Sequence, residues 1–467
     1  MDLATVASMD VFSRPKSQLW AHSGLVPFFI QIILLHPYYQ QFPISRLIRM
    51  AVVPYIIYIT IISTPKRLIE PVESFLHLNF PLVAIPNFHV GCMSIMFALH
   101  DGPVFKTDSE PDRSENEQVE KDTDEVVVLD DKSDMAVSRV KSTERTNISS
   151  SSSLKAAPTW GELTKFLVAV IMSPRGLQCT WAPPSSVVKL YPKMSITKFV
   201  WKTLMNLALQ QFIFLCVCGF GVPSAQNPQG MYGYLTEELG IPSSEFLRSA
   251  AFGAYSGFAL IGYVFDLVEV LFYTLARTLP EGNSFRPDPF DPRFHPPLYN
   301  RPWTRTSLTE FWSKGWHAVF RQHFLFCGAI PMYKLFKRFG PTVGKISAVM
   351  GAMMLSAAMH ELCLSSVTKL DPNFNSSKMF LAQGVGMVLE AIFKKVTGRK
   401  VQGILGWIWT SAFLSVWGRP MVDSWVRNGL GKSGIVRMEN WRLWNYLIPF
   451  GPLIPEKSIL ERYISRI

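Results

Sequence analysis

The chain has 467 residues, of which 48% are hydrophobic and only 17% charged. A soluble domain carries about 25% charged residues, so the composition, with its positive mean hydropathy, argues for lipid rather than water as the main solvent. The net charge of +11 argues weakly for nucleic acid, because the basic residues lie scattered between apolar runs and not on one polar face.

The first 20 residues are polar, with Asp2, Asp10, Arg14 and Lys16. No short apolar core with a cleavage site follows, so a cleaved signal peptide is not expected. A membrane span needs about 20 mostly apolar residues in helical form, since lipid offers no partner for backbone polar groups. Candidate spans lie near 24–40, 47–63 and 79–99. Residues 103–157 differ sharply: they are polar, acidic and end in a serine run, Asn147 to Ser153. Residues 101–160 hold 14 Asp and Glu against 8 Lys and Arg, leaving a net of +17 on the rest. A segment of this composition buries too little apolar surface to offset its ordering entropy. The expected organisation is therefore N-terminal membrane helices over 1–102, a disordered linker over 103–157 and a membrane domain over 158–467. Within the linker, Asn147-Ile148-Ser149 fits a glycosylation acceptor if the loop is lumenal.

An amphipathic helix is expected at 160–173, followed by spans at 198–222 and 246–276. A proline-rich, aromatic and basic loop occupies 280–305. Further spans are expected near 323–338, 342–366, 377–394, 402–421 and 440–455. The predicted fold is all-α: a polytopic helix bundle with about eight or nine membrane spans. The six cysteines show neither CxxC nor Cys/His metal spacing, and read as small buried hydrophobes; no metal site is expected.

Two segments carry chemistry. The first, 301–324, reads RPWTRTSLTEFWSKGWHAVFRQHF. Ser307 and Glu310 have capping-box spacing, so a helix starts there. On that helix Glu310, Lys314, His317 and Arg321 form one polar face, and Trp312, Trp316 and Phe320 an aromatic one. An interfacial anchor and a site-facing helix both fit this pattern. The second, 343–366, is a span interrupted by His360-Glu361. Ionisable residues at depth are costly and usually face a bundle interior or a wet cavity. His360 continues a stripe of small residues, Gly344, Ala348, Ala352 and Ser356, which permits close helix packing or leaves room for a ligand. His360 is catalytic or hydrogen-bonded across helices on this pattern; Glu361, about 100° round the helix, is placed to pair with a base elsewhere.

Phe311-Trp312 with Trp316-His317, followed by Ser356 with His360-Glu361-Leu362, resembles the wax-synthase-like branch of the membrane-bound O-acyltransferase superfamily, and in particular fungal secondary-metabolite O-acetyltransferases. SPRGLQCTW at 173–181 resembles an upstream Arg-Gly and Trp element of that branch. The family's more basic GRRWH reads SKGWH here. The resemblance, over roughly 160–455, implies acyl transfer from an acyl-CoA, acetyl-CoA first, to a hydroxyl of a lipophilic terpenoid-type alcohol. Long-chain wax-ester or sterol acylation is the alternative. It implies His360 and His317 as catalytic residues, Arg301, Arg305, Lys314 and Arg321 as contacts for the coenzyme A phosphates or for lipid head groups, and no permanently bound cofactor. A multi-pass protein of the endoplasmic reticulum would fit. A transporter using an intramembrane histidine as proton relay would show paired halves, and none is visible.

Overall fold

The computed structural model describes residues 23–63, 84–105, 157–171, 173, 175–182, 194–195, 197–206, 208–209, 299–316, 319–367 and 371–427. The described residues are helical, without a strand ladder; one isolated antiparallel bridge joins Phe105 and Cys179.

The N-terminal part is built from α1 (Leu25–Leu34), α2 (Pro43–Ala51), α3 (Val53–Ile57) and α4 (Ile85–Leu99). The expected span at 24–40 is not one helix. Its helix stops at Leu34 because Pro37 pushes His36 into an extended conformation (φ −61°, ψ 137°), as proline does to its predecessor. A new four-residue helix starts at Pro37, where His36 Nδ1 accepts from the Tyr38 amide at 3.3 Å. The second expected span is present and starts earlier. Residues Pro43–Ser63 are long and apolar enough to cross a membrane, with the last turn, Tyr58–Ser63, π-helical. Buried polar groups tie these helices together. Gln31 of α1 donates to the Arg49 carbonyl at 2.6 Å, and the buried Arg49 guanidinium donates to the carbonyls of Phe97 and His100 at 2.5 and 2.8 Å.

Helix α5 (Trp160–Ile171) forms where an amphipathic helix is expected. Its start is a reciprocal capping box: Glu162 Oε2 accepts from the Thr159 amide at 2.7 Å, and Thr159 Oγ accepts from the Glu162 amide at 3.3 Å. Leu163 and Val170 are buried and Trp160 is exposed. The SPRGLQCTW segment then folds back on the N-terminal helices. Thr180 donates its amide to the Val104 carbonyl at 2.9 Å. Gly176 sits at φ +61° under the Trp181 indole, so a side chain there meets both backbone strain and a clash. Phe28, Ile32, Phe97, Val104, Val170 and Cys179 share one core with Trp181 against it.

The C-terminal part runs through α6 (Ile330–Phe336), α7 (Pro341–Val367), α8 (Asn375–Thr397) and α9 (Gly403–Arg427). Helix α7 starts with Pro at its first position, where the missing amide proton costs nothing. Its Pro341–Ser365 stretch is the second segment long and apolar enough to cross a membrane. Among the described residues these two qualify; of the expected eight or nine spans, those near 246–276 and 440–455 fall outside the described residues. The small-residue stripe serves close packing. Ala348 is buried against Ala329 and Tyr333, and a Cβ on Gly351 would lie 2.5 Å from the Gly328 carbonyl oxygen. Backbone approach of this kind is how small residues hold helices together in lipid.

The 301–324 segment departs from expectation. Ser307 does cap a helix, accepting from the Glu310 amide at 3.1 Å. That helix covers only Leu308–Glu310, widens to a π turn over Phe311–Gly315, and ends at an extended Trp316. Helix resumes at Arg321. The continuous polar face of Glu310, Lys314, His317 and Arg321 therefore does not exist as such. The cause is tertiary: the Gly315 carbonyl accepts from the Asn300 amide at 2.9 Å, and Gly315 sits directly against the Arg305 side chain and the Pro302 backbone. The chain turns out of the helix where only glycine fits.

Candidate active site

His360 lies on α7, with its Nδ1 2.8 Å from the Ser356 carbonyl oxygen. A carbonyl can only accept, so Nδ1 carries a proton, and whenever the ring is neutral its lone pair is on Nε2. The imidazole faces Phe380 of α8, ring centroids 4.3 Å apart and planes at 34°. Phe380 in turn meets Trp312 at 5.6 Å. Trp312 contacts Phe311 and Trp316 at 5.1 and 5.9 Å, and Tyr299 closes on Trp316 at 5.3 Å. The aromatic part of the first motif is thus brought to the histidine of the second through one phenylalanine. His317 lies outside the described residues.

Among the described residues Glu361 meets no base. It is buried, and its Oε1 accepts from the amide and hydroxyl of Ser377 at 2.9 and 3.1 Å. Ser377 is in the first turn of α8, whose amides have no partner within the helix and whose dipole favours a carboxylate. Glu361 therefore fixes α8, and with it Phe380, relative to His360. Asp371 completes the hold on the same helix end. It accepts from the amides of Asn373 and Asn375 at 3.0 and 3.2 Å, and from the Ser424 hydroxyl of α9 at 2.7 Å. Burial alone pushes the Asp371 carboxyl up, but these bonds outweigh it and hold it below the usual carboxylate range.

One anchoring residue was not anticipated. Glu390 of α8 is buried and accepts from the amides of Leu308 and Thr309 at 2.7 and 3.0 Å, from the Thr309 hydroxyl at 2.8 Å and from the Trp409 indole at 3.0 Å. It supplies from a distant helix the capping that the short 308–310 turn needs. Its sequence signal was the same as that of His360: an ionisable residue within an apolar run.

The four basic candidates gather around the Ser313–Gly315 turn. Arg305 donates from Nε and Nη2 to the Asn300 carbonyl at 3.2 and 2.7 Å and lies over Gly315. Arg321 donates from Nη1 to the Ser313 carbonyl. Lys314 stands between them in sequence, and Arg301, in the left-handed region at φ 44°, is exposed. Arg305 and Arg321 thus have defined structural bonds. Among the described residues, no group of three or more His, Cys, Asp or Glu is placed to hold a metal ion.

Residues 295–382 match the model of the Membrane bound O-acyl transferase family. Both motifs fall inside that stretch. An acyl-CoA–sterol O-acyltransferase of Arabidopsis thaliana is 32% identical over 104 residues, 22% of this chain and 30% of the relative. A long-chain-alcohol O-fatty-acyltransferase of Simmondsia chinensis is 25% identical over 107 residues, 23% of this chain and 30% of the relative. The chain spans about a third of the length of these relatives. No solved structure matches.

Proposed function

We propose that the protein is a membrane-embedded O-acyltransferase that moves the acyl group of an acyl-CoA onto the hydroxyl of a lipophilic alcohol. The observation that carries this reading is the setting of His360: an imidazole inside an apolar helix, its Nδ1 proton engaged by Ser356 and its face on Phe380, within the stretch that matches the family. Nε2 of the neutral ring is the base. It takes the alcohol proton as the oxygen attacks the thioester carbonyl, and the imidazolium returns that proton to the departing coenzyme A thiolate. A positioned base of this kind contributes roughly 10²–10⁴-fold. No covalent acyl-enzyme is required. His317 is the second polar group, positioning the donor or stabilising the oxyanion, and Arg301, Arg305, Lys314 and Arg321 are the contacts for the anionic coenzyme.

The activities of the similar proteins support a sterol or long-chain alcohol as acceptor and a fatty acyl-CoA as donor. The narrower reading, acetyl-CoA with a terpenoid alcohol, rests on the motif resemblance alone. Membranes containing the full chain, incubated with labelled donors from acetyl- to stearoyl-CoA and with sterol, fatty and terpenoid alcohols, separate the two. The expected result is ester formation with at least one pair, lost in His360→Ala at unchanged membrane abundance. Turnover retained by His360→Ala removes the histidine from the chemistry. The endoplasmic reticulum is the proposed location, tested by fractionation.

A further inference from the structure

Helix α8, whose Phe380 faces His360, carries a further buried polar group. Gln383 lies one helical turn beyond Phe380 on α8 and has no solvent exposure at all. Its Oε1 accepts from the Trp312 indole at 3.2 Å. An indole N–H can only donate, so this bond fixes which end of the amide is oxygen and which is nitrogen. The Nε2 amide protons are then left without an acceptor among the described residues. A buried donor with no partner forfeits the hydrogen bonds it makes to water in the unfolded chain, and such a group in a folded interior calls for an explanation. The neighbours do not provide one. Its partner Trp312 and its α8 neighbours Met379 and Phe380 belong to an apolar cluster with Met353 and Ala357.

We propose that the Gln383 amide is the oxyanion donor of this site: Nε2 hydrogen-bonds the carbonyl oxygen of the bound acyl thioester and strengthens that bond as negative charge develops there. The inference rests on the acyl-transfer reading given above. In the step concerned, the alcohol oxygen forms the new C–O bond while its proton goes to His360 Nε2. The carbonyl π pair moves onto oxygen, where Gln383 holds it. Its return expels the coenzyme A sulfur, which takes the proton from the imidazolium. Trp312 acts as a positioning residue, because its indole orients the amide; Phe380 keeps water from competing for it. A donor oriented before the reaction loses nothing to reorganisation, and removal of one such donor costs about 10²–10³-fold in kcat. His317 then keeps the donor-positioning role.

The test has two arms on the full chain in membranes or nanodiscs. In the turnover arm, Gln383→Ala and Gln383→Glu are compared with wild type. Gln383→Glu still accepts from Trp312 but places an acceptor where the donor was. Both are expected to lose about 10²–10³-fold in kcat with the acyl-CoA KM changed by less than about threefold. Wild-type kcat in either variant, or a loss confined to KM, overturns the proposal. The binding arm needs no turnover. It uses two non-reactive coenzyme A derivatives of equal chain length: a ketone in which a methylene separates sulfur from the carbonyl, and a simple thioether with no carbonyl. Wild type and His360→Ala are expected to prefer the ketone, and Gln383→Ala to bind both alike. No preference in wild type overturns the assignment of Gln383. Preference for the ketone without ester formation from any donor and alcohol would instead defeat the acyl-transfer reading and leave the amide as a carbonyl-binding group.

Discussion

At the scale of single residues, buried acidic side chains around the site serve as caps for helix ends. Glu361 and Glu390 satisfy amides outside their own helices, and Asp371 holds the start of α8. Removing Glu390 leaves two amides, one hydroxyl and one indole without their acceptor, in a buried or part-buried setting. At about 1–3 kcal/mol for a buried group left unsatisfied, Glu390→Ala should destabilise the protein by on the order of 3 kcal/mol, seen as a clear fall in Tm in detergent. Glu390→Gln, which still accepts, should fall less. Equal Tm for Glu390→Ala and wild type would show that these contacts do not carry stability. Ser307, His360 and their neighbours were legible in the sequence because a capping box and a buried ionisable group each leave a local mark. Gln383 was not legible, since one glutamine in an apolar run looks like any interhelical hydrogen bond until its partner is known.

At the scale of elements, α7, α8 and α9 appear close to where apolar runs place them, and the starts of α5 and of the 308–310 turn follow their capping residues. The breaks were hidden. The turn-out at Gly315 depends on Asn300 and Arg305, and a helical wheel drawn through 310–321 has no knowledge of them. The joint between α8 and α9 has a pH signature. Asp371 has a depressed carboxyl, so it stabilises the fold fully above its unfolded value, near about 3.9. That contribution disappears as pH falls through the lower folded value. Unfolding of wild type and Asp371→Asn in detergent, followed from pH 7 to pH 3, should show the gap in Tm closing at the acid end. A gap that stays constant would mean that Asp371 does not titrate with folding.

At the scale of the whole molecule, segments on either side of the acidic stretch share one core. Val104 and Thr180 are bonded at 2.9 Å, and Phe97 meets Trp181 at 5.9 Å. Helix α4 also reaches the C-terminal part, where Phe88 meets Phe320 at 5.9 Å and His89 meets His323 at 4.8 Å. A protease site inserted between residues 106 and 156 and then cut should therefore give two fragments that co-purify in mild detergent. Fragments that separate without denaturant would show that these contacts are too weak to hold the molecule together. The outer surface suits lipid: Ile404, Leu405, Ile408 and Val416 of α9 are all exposed. Composition announced this surface, whereas the contacts across the acidic stretch required the third dimension.

Glu390 also bears on how the protein is made. A carboxylate within an apolar helix is costly to hand to lipid alone, and its partners are synthesised at different times: Leu308 and Thr309 leave the ribosome before α8, and Trp409 leaves after it. Helix α8 thus depends on both neighbours for the burial of its carboxylate. It is received by a segment already made and sealed by one still to come, so the order of synthesis and the packing of α8 are coupled through a single side chain.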